Sequence, residues 1–129
     1  MTVQSCRVLL NVADIEQSLG FWRDLIGFEV TTRFEHEGRL AFAQLASGDV
    51  VLMLNARGGD PAPRRARPHY TEAVIYMGVP SAHDLARALR AKGFATPEPE
   101  RQDYGLDELT VRDPDGYEIA FTSPVSPPP

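Results

Sequence analysis

The stretch VRDPDGYEIAF, residues 111–121, reads as two short strands joined by a turn. Asp113-Pro114-Asp115-Gly116 supplies the turn: Pro114 fixes φ, Gly116 accepts a positive φ, and the aspartates bond nearby backbone N–H groups. Leu109, Val111, Ile119 and Phe121 are spaced by two and mark one face of the arms. The other face of the second arm shows Glu118, Ala120 and Thr122.

Working back from this hairpin, EAVIYMGV (72–79) is a strand. Ser81 caps a helix with Asp84 three residues on, and Leu85, Ala86 and Leu89 mark its buried side. Gly93 ends that helix, and a less regular stretch, 94–105, leads to DELTVRD and YEIAF. The order is β-α-β-β-β. The same order occupies the N-terminal half. CRVLLNV (6–12) is a strand. Asp14 caps a helix with Gln17 at the capping-box position, and Ile15, Leu19, Trp22 and Leu25 or Ile26 give the helical spacing. Gly27 ends it. Strands follow at 28–34, 39–45 and 50–55, separated by turns at Glu35–Gly38 and Ser47–Asp49.

The halves align. Val12-Ala13-Asp14 falls on Val79-Pro80-Ser81 with an offset of 67, and Gly27-Phe28 on Gly93-Phe94 with an offset of 66, so the helices differ in length by one residue. An internal repeat constrains the whole fold. The expected organisation is a single domain, 1–123, with modules at about 5–57 and 71–123 and a Gly-, Pro- and Arg-rich linker at 58–70. A disordered Pro-rich tail follows at 124–129.

With 129 residues, 43% hydrophobic and 24% charged, the chain has the make-up of one globular domain. Its net charge of −5 argues against a nucleic-acid partner. A single cysteine, Cys6, excludes an intrachain disulfide and fits a reducing compartment. By parity Cys6 falls on the helix-facing side of its strand, as a small core residue. With no leader pattern and no long apolar run, the expected location is cytoplasmic, with no membrane partner.

The chain resembles the vicinal oxygen chelate superfamily, also called the glyoxalase / bleomycin-resistance / extradiol-dioxygenase superfamily. The likeness is carried by VADIEQSLGFW (12–22), LIGF (25–28), GDVVLML (48–54), AKGF (91–94) and YGLDELTVRDPDGYEIAF (104–121). It implies an α+β fold: two βαβββ modules forming a cupped mixed sheet with helices on the outer face, commonly in a homodimer. It does not imply one activity. The group includes metal-dependent isomerases, dioxygenases, epimerases and thiol transferases, and metal-free proteins that bind an antibiotic and hold it.

Carried over one by one, the four positions that bear metal ligands in the enzymes of this group fall on Arg7, Met53, Val74 and Ala120. Divalent cations of this class need imidazole or carboxylate donors, and a fixed guanidinium charge repels them. No metal and no cofactor are expected. If these positions define the cavity face, strand parity adds Leu9, Asn11, Val51, Asn55, Glu72, Tyr76, Glu118 and Thr122, with Phe42 and Tyr104 as aromatic walls. Such a cavity is apolar at its centre with a few polar groups, as small-molecule sites are. Glu72 and Glu118 line its rim, or pair with Arg7.

Three readings stay open on the sequence. The first is a metal-free protein sequestering a hydrophobic or aromatic compound such as an antibiotic. The second is a lyase, isomerase or dioxygenase with a non-standard site, either metal-dependent through Glu72, Glu118 and His69 or acid–base through Glu72 or Glu118. The third is a dimerisation module without a ligand. His36, in a hairpin turn, and His83, in the first turn of the second helix, are read as facing water, and His69 as able to reach a cavity mouth.

Overall fold

The computed structural model describes residues 1–125. The chain forms two compact units, Met1–Pro63 and Arg64–Pro129. Each contains a four-stranded mixed sheet, and both sheets are wired alike.

In the first unit, β1 (Val8–Val12) is followed by helix α1 (Ile15–Leu19), which continues as a π-helix over Gly20–Ile26. Strands β2 (Glu29–His36), β3 (Arg39–Ser47) and β4 (Val50–Ala56) complete the sheet in the order β1-β4-β3-β2. β1 runs parallel to β4, and the other pairs are antiparallel. The Asp14 carboxylate accepts from the backbone N–H groups of Glu16 at 2.9 Å and Gln17 at 3.4 Å, satisfying donors that a helix start leaves open. Leu10, Val12, Leu45, Leu52 and Leu54 are buried, as are Ile15, Leu19 and Trp22 of the helix. Trp22 meets Phe21 and Phe28 edge-on, with ring centroids 5.0 and 5.5 Å apart.

The second unit repeats this plan. β5 (Val74–Gly78), α3 (Ala82–Ala91), β6 (Glu100–Arg101), β7 (Leu106–Arg112) and β8 (Glu118–Pro124) give the order β5-β8-β7-β6, again with the first and last strands parallel. The Ser81 hydroxyl accepts from the Asp84 N–H at 3.1 Å, the second predicted cap. Ala82, Ala86 and Leu89 are buried, and so are Leu109, Val111, Ile119 and Phe121 of the hairpin. Strand β8 runs on through Ser123 and Pro124: the Ser123 hydroxyl accepts from the Ala82 N–H at 2.8 Å, and Pro124 lies opposite Leu106. The rest of the expected tail, 126–129, lies outside the described residues.

Three local readings are corrected. Cys6 is exposed, because β1 begins only at Val8. Residues 58–70 are not wholly irregular, since Ala62–Arg65 form a short helix, α2. His83 does not simply face water: its Nε2 lies 3.4 Å from an oxygen of the buried Asp107.

Beyond α2 the linker docks on the hairpin that joins β7 to β8. The Arg112 guanidinium donates to the carbonyls of Arg64 at 3.2 Å, and of Arg65 and Arg67. Arg64 returns the contact, donating to the Asp115 carbonyl at 2.8 Å and lying 4.0 Å from the centre of the Tyr117 ring. Gly116 is required here twice over. Its φ is +86°, and an added Cβ would come within 2.7 Å of the Arg65 backbone nitrogen. The linker then crosses to Glu118, whose carboxylate is paired with His69 and accepts the Tyr70 N–H at 3.0 Å. Tyr70 itself has φ +63°. For a bulky residue that left-handed backbone costs about 1–2 kcal/mol, which its contacts must offset. Burial pushes the Glu118 carboxyl up, but the Tyr70 N–H, His69 and the Arg112 charge outweigh it, and the group sits below its ordinary 4.5.

Two outcomes follow for stability. Gly116→Ala should lower it by about 2–3 kcal/mol by urea denaturation, because both φ and the Arg65 backbone resist the change. Gly48→Ala, at φ +56° with nothing within 4 Å, should cost only about 1 kcal/mol. Glu118→Gln should cost about 1–3 kcal/mol at pH 7. A depressed folded-state pKa stabilises fully above the unfolded value and is lost as pH falls through the folded one. The gap between wild type and Glu118→Gln should therefore be constant above about pH 5 and close progressively below 4.5; a gap that persists unchanged at pH 3 would contradict this assignment.

Candidate functional site

Strand alternation gives each sheet a second face, on which Leu9, Asn11, Phe42, Met53 and Asn55 of the first unit and Val74, Tyr76, Glu118 and Ala120 of the second fall in register, while Arg7, Glu72 and Tyr104 lie outside the strands. In the first unit Leu9 pairs with Met53 and Asn11 with Asn55, and the Asn55 amide donates to the Asn11 side-chain oxygen at 3.2 Å. Phe42 is opposite Asn55 on its other side and opposite Phe34 on β2. Leu9 and Phe34 are 45% and 59% exposed, so this face is apolar and open. Arg7 precedes β1 and is exposed.

In the second unit Val74 pairs with Glu118 and Tyr76 with Ala120. Across from these, β7 presents Arg112 opposite Glu118, Thr110 opposite Ala120 and Glu108 opposite Thr122. Glu72 stands just before β5, and its partner is Arg67 of the linker. The expected pairing of Glu72 with Arg7 is thus replaced by a nearer cation five residues away in the chain.

The centre of this second face is a buried carboxylate ringed by phenols. Glu108 is only 6% exposed. One of its oxygens accepts the Tyr104 hydroxyl and the other the Tyr70 hydroxyl, each at 2.8 Å. The Tyr70 hydroxyl also lies 3.2 Å from that of Thr110. Tyr76 interacts with both phenols. Yet Tyr70, Tyr76 and Tyr104 are all more than half exposed. The hydroxyls of Tyr70 and Tyr104 are anchored on Glu108 while the residues stay open to solvent, which suits contact with an aromatic guest. Burial, with help from Glu108, pushes the Tyr70 hydroxyl up to about 12. The hydrogen bond to Glu108, then burial, raises Tyr104 as well. Both phenols are therefore neutral donors at physiological pH.

A pocket of about 230 Å³ opens beside this cluster, between His69, Tyr70, Glu108 and Thr110 on one side and Pro97, Glu98 and Glu100 on the other. A larger cleft of about 590 Å³ lies in the first unit, between the β2–β3 hairpin tip and the start of α1. Its wall of exposed Glu35, His36 and Glu37 holds none of the predicted site residues, and among the described residues no buried polar group lines it.

Tyr70, Glu108 and Thr110 were absent from the predicted set. Parity carries the signal: Glu108, Thr110 and Arg112 alternate along β7 as Glu118, Ala120 and Thr122 do along β8. Tyr70 had no such signal, because it lies in the linker and reaches the face through its left-handed backbone.

The donor chemistry does not fit a divalent metal at the four positions where the resemblance would place its ligands, since Arg7, Met53, Val74 and Ala120 offer no imidazole or carboxylate. Of the displaced candidates, His69 and Glu118 meet each other, while Glu72 is engaged by Arg67. Among the described residues no group of three or more His, Cys, Asp or Glu side chains is placed to hold a metal ion.

Comparison with known proteins agrees with this architecture. A search of curated protein sequences finds no match. Among solved structures, TioX from Micromonospora sp. ML1 is 20% identical and superposes with a TM-score of 0.74, covering 95% of this chain and 100% of that one. TnmS3, an antibiotic binding protein from Streptomyces sp. CB03234, is 20% identical with a TM-score of 0.73, covering 97% and 99%. The virulence protein STM3117 from Salmonella typhimurium is 21% identical with a TM-score of 0.68, covering 97% and 100%. These similarities are of fold. The family model for the Glyoxalase/Bleomycin resistance protein/Dioxygenase superfamily matches residues 5–121, and the chain belongs to that superfamily.

Proposed function

We propose that this protein is a metal-free small-molecule-binding protein that sequesters a hydrophobic or aromatic compound, such as an antibiotic, in the cytoplasm, and that it works as a homodimer. The observation that carries this reading is the tyrosine cluster on the second sheet. Three half-open rings around one buried carboxylate supply stacking surface and a fixed polar reference point, the combination that orients a largely apolar ligand. The first sheet, taken by itself, has an apolar face of Leu9, Phe42 and Met53. The chemistry at Arg7, Met53, Val74 and Ala120 agrees, because sequestration requires no metal. The antibiotic binding protein TnmS3 has the same fold and makes an antibiotic a reasonable first class of ligand to test. The enzyme reading has less support: Glu72 is neutralised by Arg67, and Glu118 is held ionised by His69 and the Tyr70 N–H, which makes it a poor base near neutrality.

Purified untagged protein should contain less than about a tenth of an equivalent of Mn, Fe, Co, Ni or Zn, and re-addition after chelation should leave its melting temperature unchanged. An aromatic ligand at about a hundred times its Kd should stabilise the fold by about 2.7 kcal/mol. That gain should fall at least about tenfold in affinity for Glu108→Ala, measured by calorimetry. Stoichiometric metal that raises the melting temperature would overturn the metal-free reading.

A further inference from the structure

The linker places one of its own side chains in the most polar seat of the candidate site. Between Arg64 and Arg67 it is fastened by the backbone-directed bonds of Arg112, and Arg64 and Arg65 lie against the hairpin. Past Pro68 the fastening changes. Among the described residues, His69 and Tyr70 are held to the sheet through the side chains of Glu118, Glu108, Thr110 and Tyr76. Tyr70 adopts φ +63°, a conformation that aromatic residues avoid, and its ring gains little from burial, since it is 52% exposed. Its hydroxyl alone is well seated, between the Glu108 carboxylate and Thr110, at the edge of the 230 Å³ pocket.

From this we infer that residues 68–72 form a strap in which Tyr70 is a tethered stand-in for the ligand, and that the ligand which displaces it is a neutral aromatic compound carrying a phenolic hydroxyl. This deepens the binding function proposed above and rests on it. The argument is one of replacement. Lifting Tyr70 away leaves an oxygen of a buried carboxylate without its donor, which is unfavourable unless another donor arrives. Tyr104 stays on the second oxygen and keeps the carboxylate oriented. The vacated seat has been shaped around a phenol: a hydroxyl within reach of one carboxylate oxygen and one threonine hydroxyl, with the ring left outside the sheet. A guest with the same group restores both hydroxyl contacts and releases the left-handed backbone of Tyr70, against the loss of the Tyr70 N–H from Glu118, where His69 remains as a partner. An apolar guest without a donor restores neither. The strap would then hold the site closed to compounds that merely stick to apolar surfaces.

The test uses hydrogen exchange on the full chain, with p-cresol, toluene and benzylamine as probes. The Tyr70 amide should exchange at least about a hundredfold faster than the Ile119 amide in the middle of β8, because the strap opens without unfolding the sheet. Saturating p-cresol should accelerate exchange at Tyr70 further, and toluene should not. Tyr70→Gly, which accepts the backbone conformation and empties the seat, should bind p-cresol at least about tenfold more tightly than wild type and prefer it over toluene by a similar factor. If that variant fails to fold, Tyr70→Phe keeps the ring, loses the hydroxyl and should still bind p-cresol more tightly than wild type. A Tyr70 amide as protected as Ile119, or one indifferent to p-cresol, would overturn the strap. Equal binding of toluene, or a preference for benzylamine, would overturn the phenol assignment. A wild-type protein that retains aromatic compounds with no response at Tyr70 keeps the binding function and loses the strap. A protein that retains no aromatic compound and shows no response at Tyr70 loses both.

Discussion

A carboxylate that a sheet removes from water must be given donors, and in the second module Glu118 sets that requirement for everything around it. At 8% exposure it cannot rely on solvent. The donors come from the linker, as His69 and the backbone N–H of Tyr70. Bringing them there requires the chain to turn back over the β7–β8 hairpin, which in turn requires Arg112 to bind the passing carbonyls and Gly116 to leave room for Arg65. Once Tyr70 is drawn down, its hydroxyl falls on Glu108. The tyrosine cluster, the pocket beside it and the lowered pKa of Glu118 all descend from that one desolvated group.

The first module shows what the same wiring does without the charge. By strand register Ala120, paired with Tyr76, corresponds to Met53, paired with Leu9, and Glu118 therefore to Val51. The open face there is built from Leu9, Met53, Phe42 and a single amide pair, Asn11 with Asn55. Nothing on it needs to be neutralised, and no segment of the first unit is fastened across it by buried ion pairs among the described residues. Duplicated topology has thus been given two chemical characters, one apolar and one polar with aromatic edges.

How much of this could be read from the sequence depended on whether a feature repeats. The βαβββ order, both helix caps and the hairpin at Asp113–Gly116 follow from local chemistry and from periodicity, and they stand as expected. On β8 the apolar positions Ile119 and Phe121 are buried, as their spacing by two suggests, but Glu118 and Ala120 between them are buried as well. Strand ends were harder, because nothing in CRVLLNV shows that pairing starts at Val8, and so Cys6 was given a core place it does not have. The partners of Glu72 and Glu118 were also out of reach. They lie in a segment whose Pro and Arg content signals only a connection, and the contacts it makes depend on a backbone turn at Tyr70 that favours glycine. Long-range fastening of an irregular segment leaves no period to detect.

The two helices also carry a record of how the halves diverged. The first is one residue longer between its cap and its terminal glycine, yet Gly27-Phe28 and Gly93-Phe94 occupy corresponding places in their modules. The surplus is taken up as girth rather than length, for Gly20–Ile26 is wound as a π-helix, and the Gly27 N–H reaches back five residues to the Trp22 carbonyl at 3.1 Å. A one-residue insertion in an α-helix would rotate every later side chain by about 100° and carry the apolar face off the sheet. Wound into a wider coil, it leaves Trp22 and Phe28 packed together in the core. After duplication, such a helix lets one half of the protein change length without its partner strands losing register.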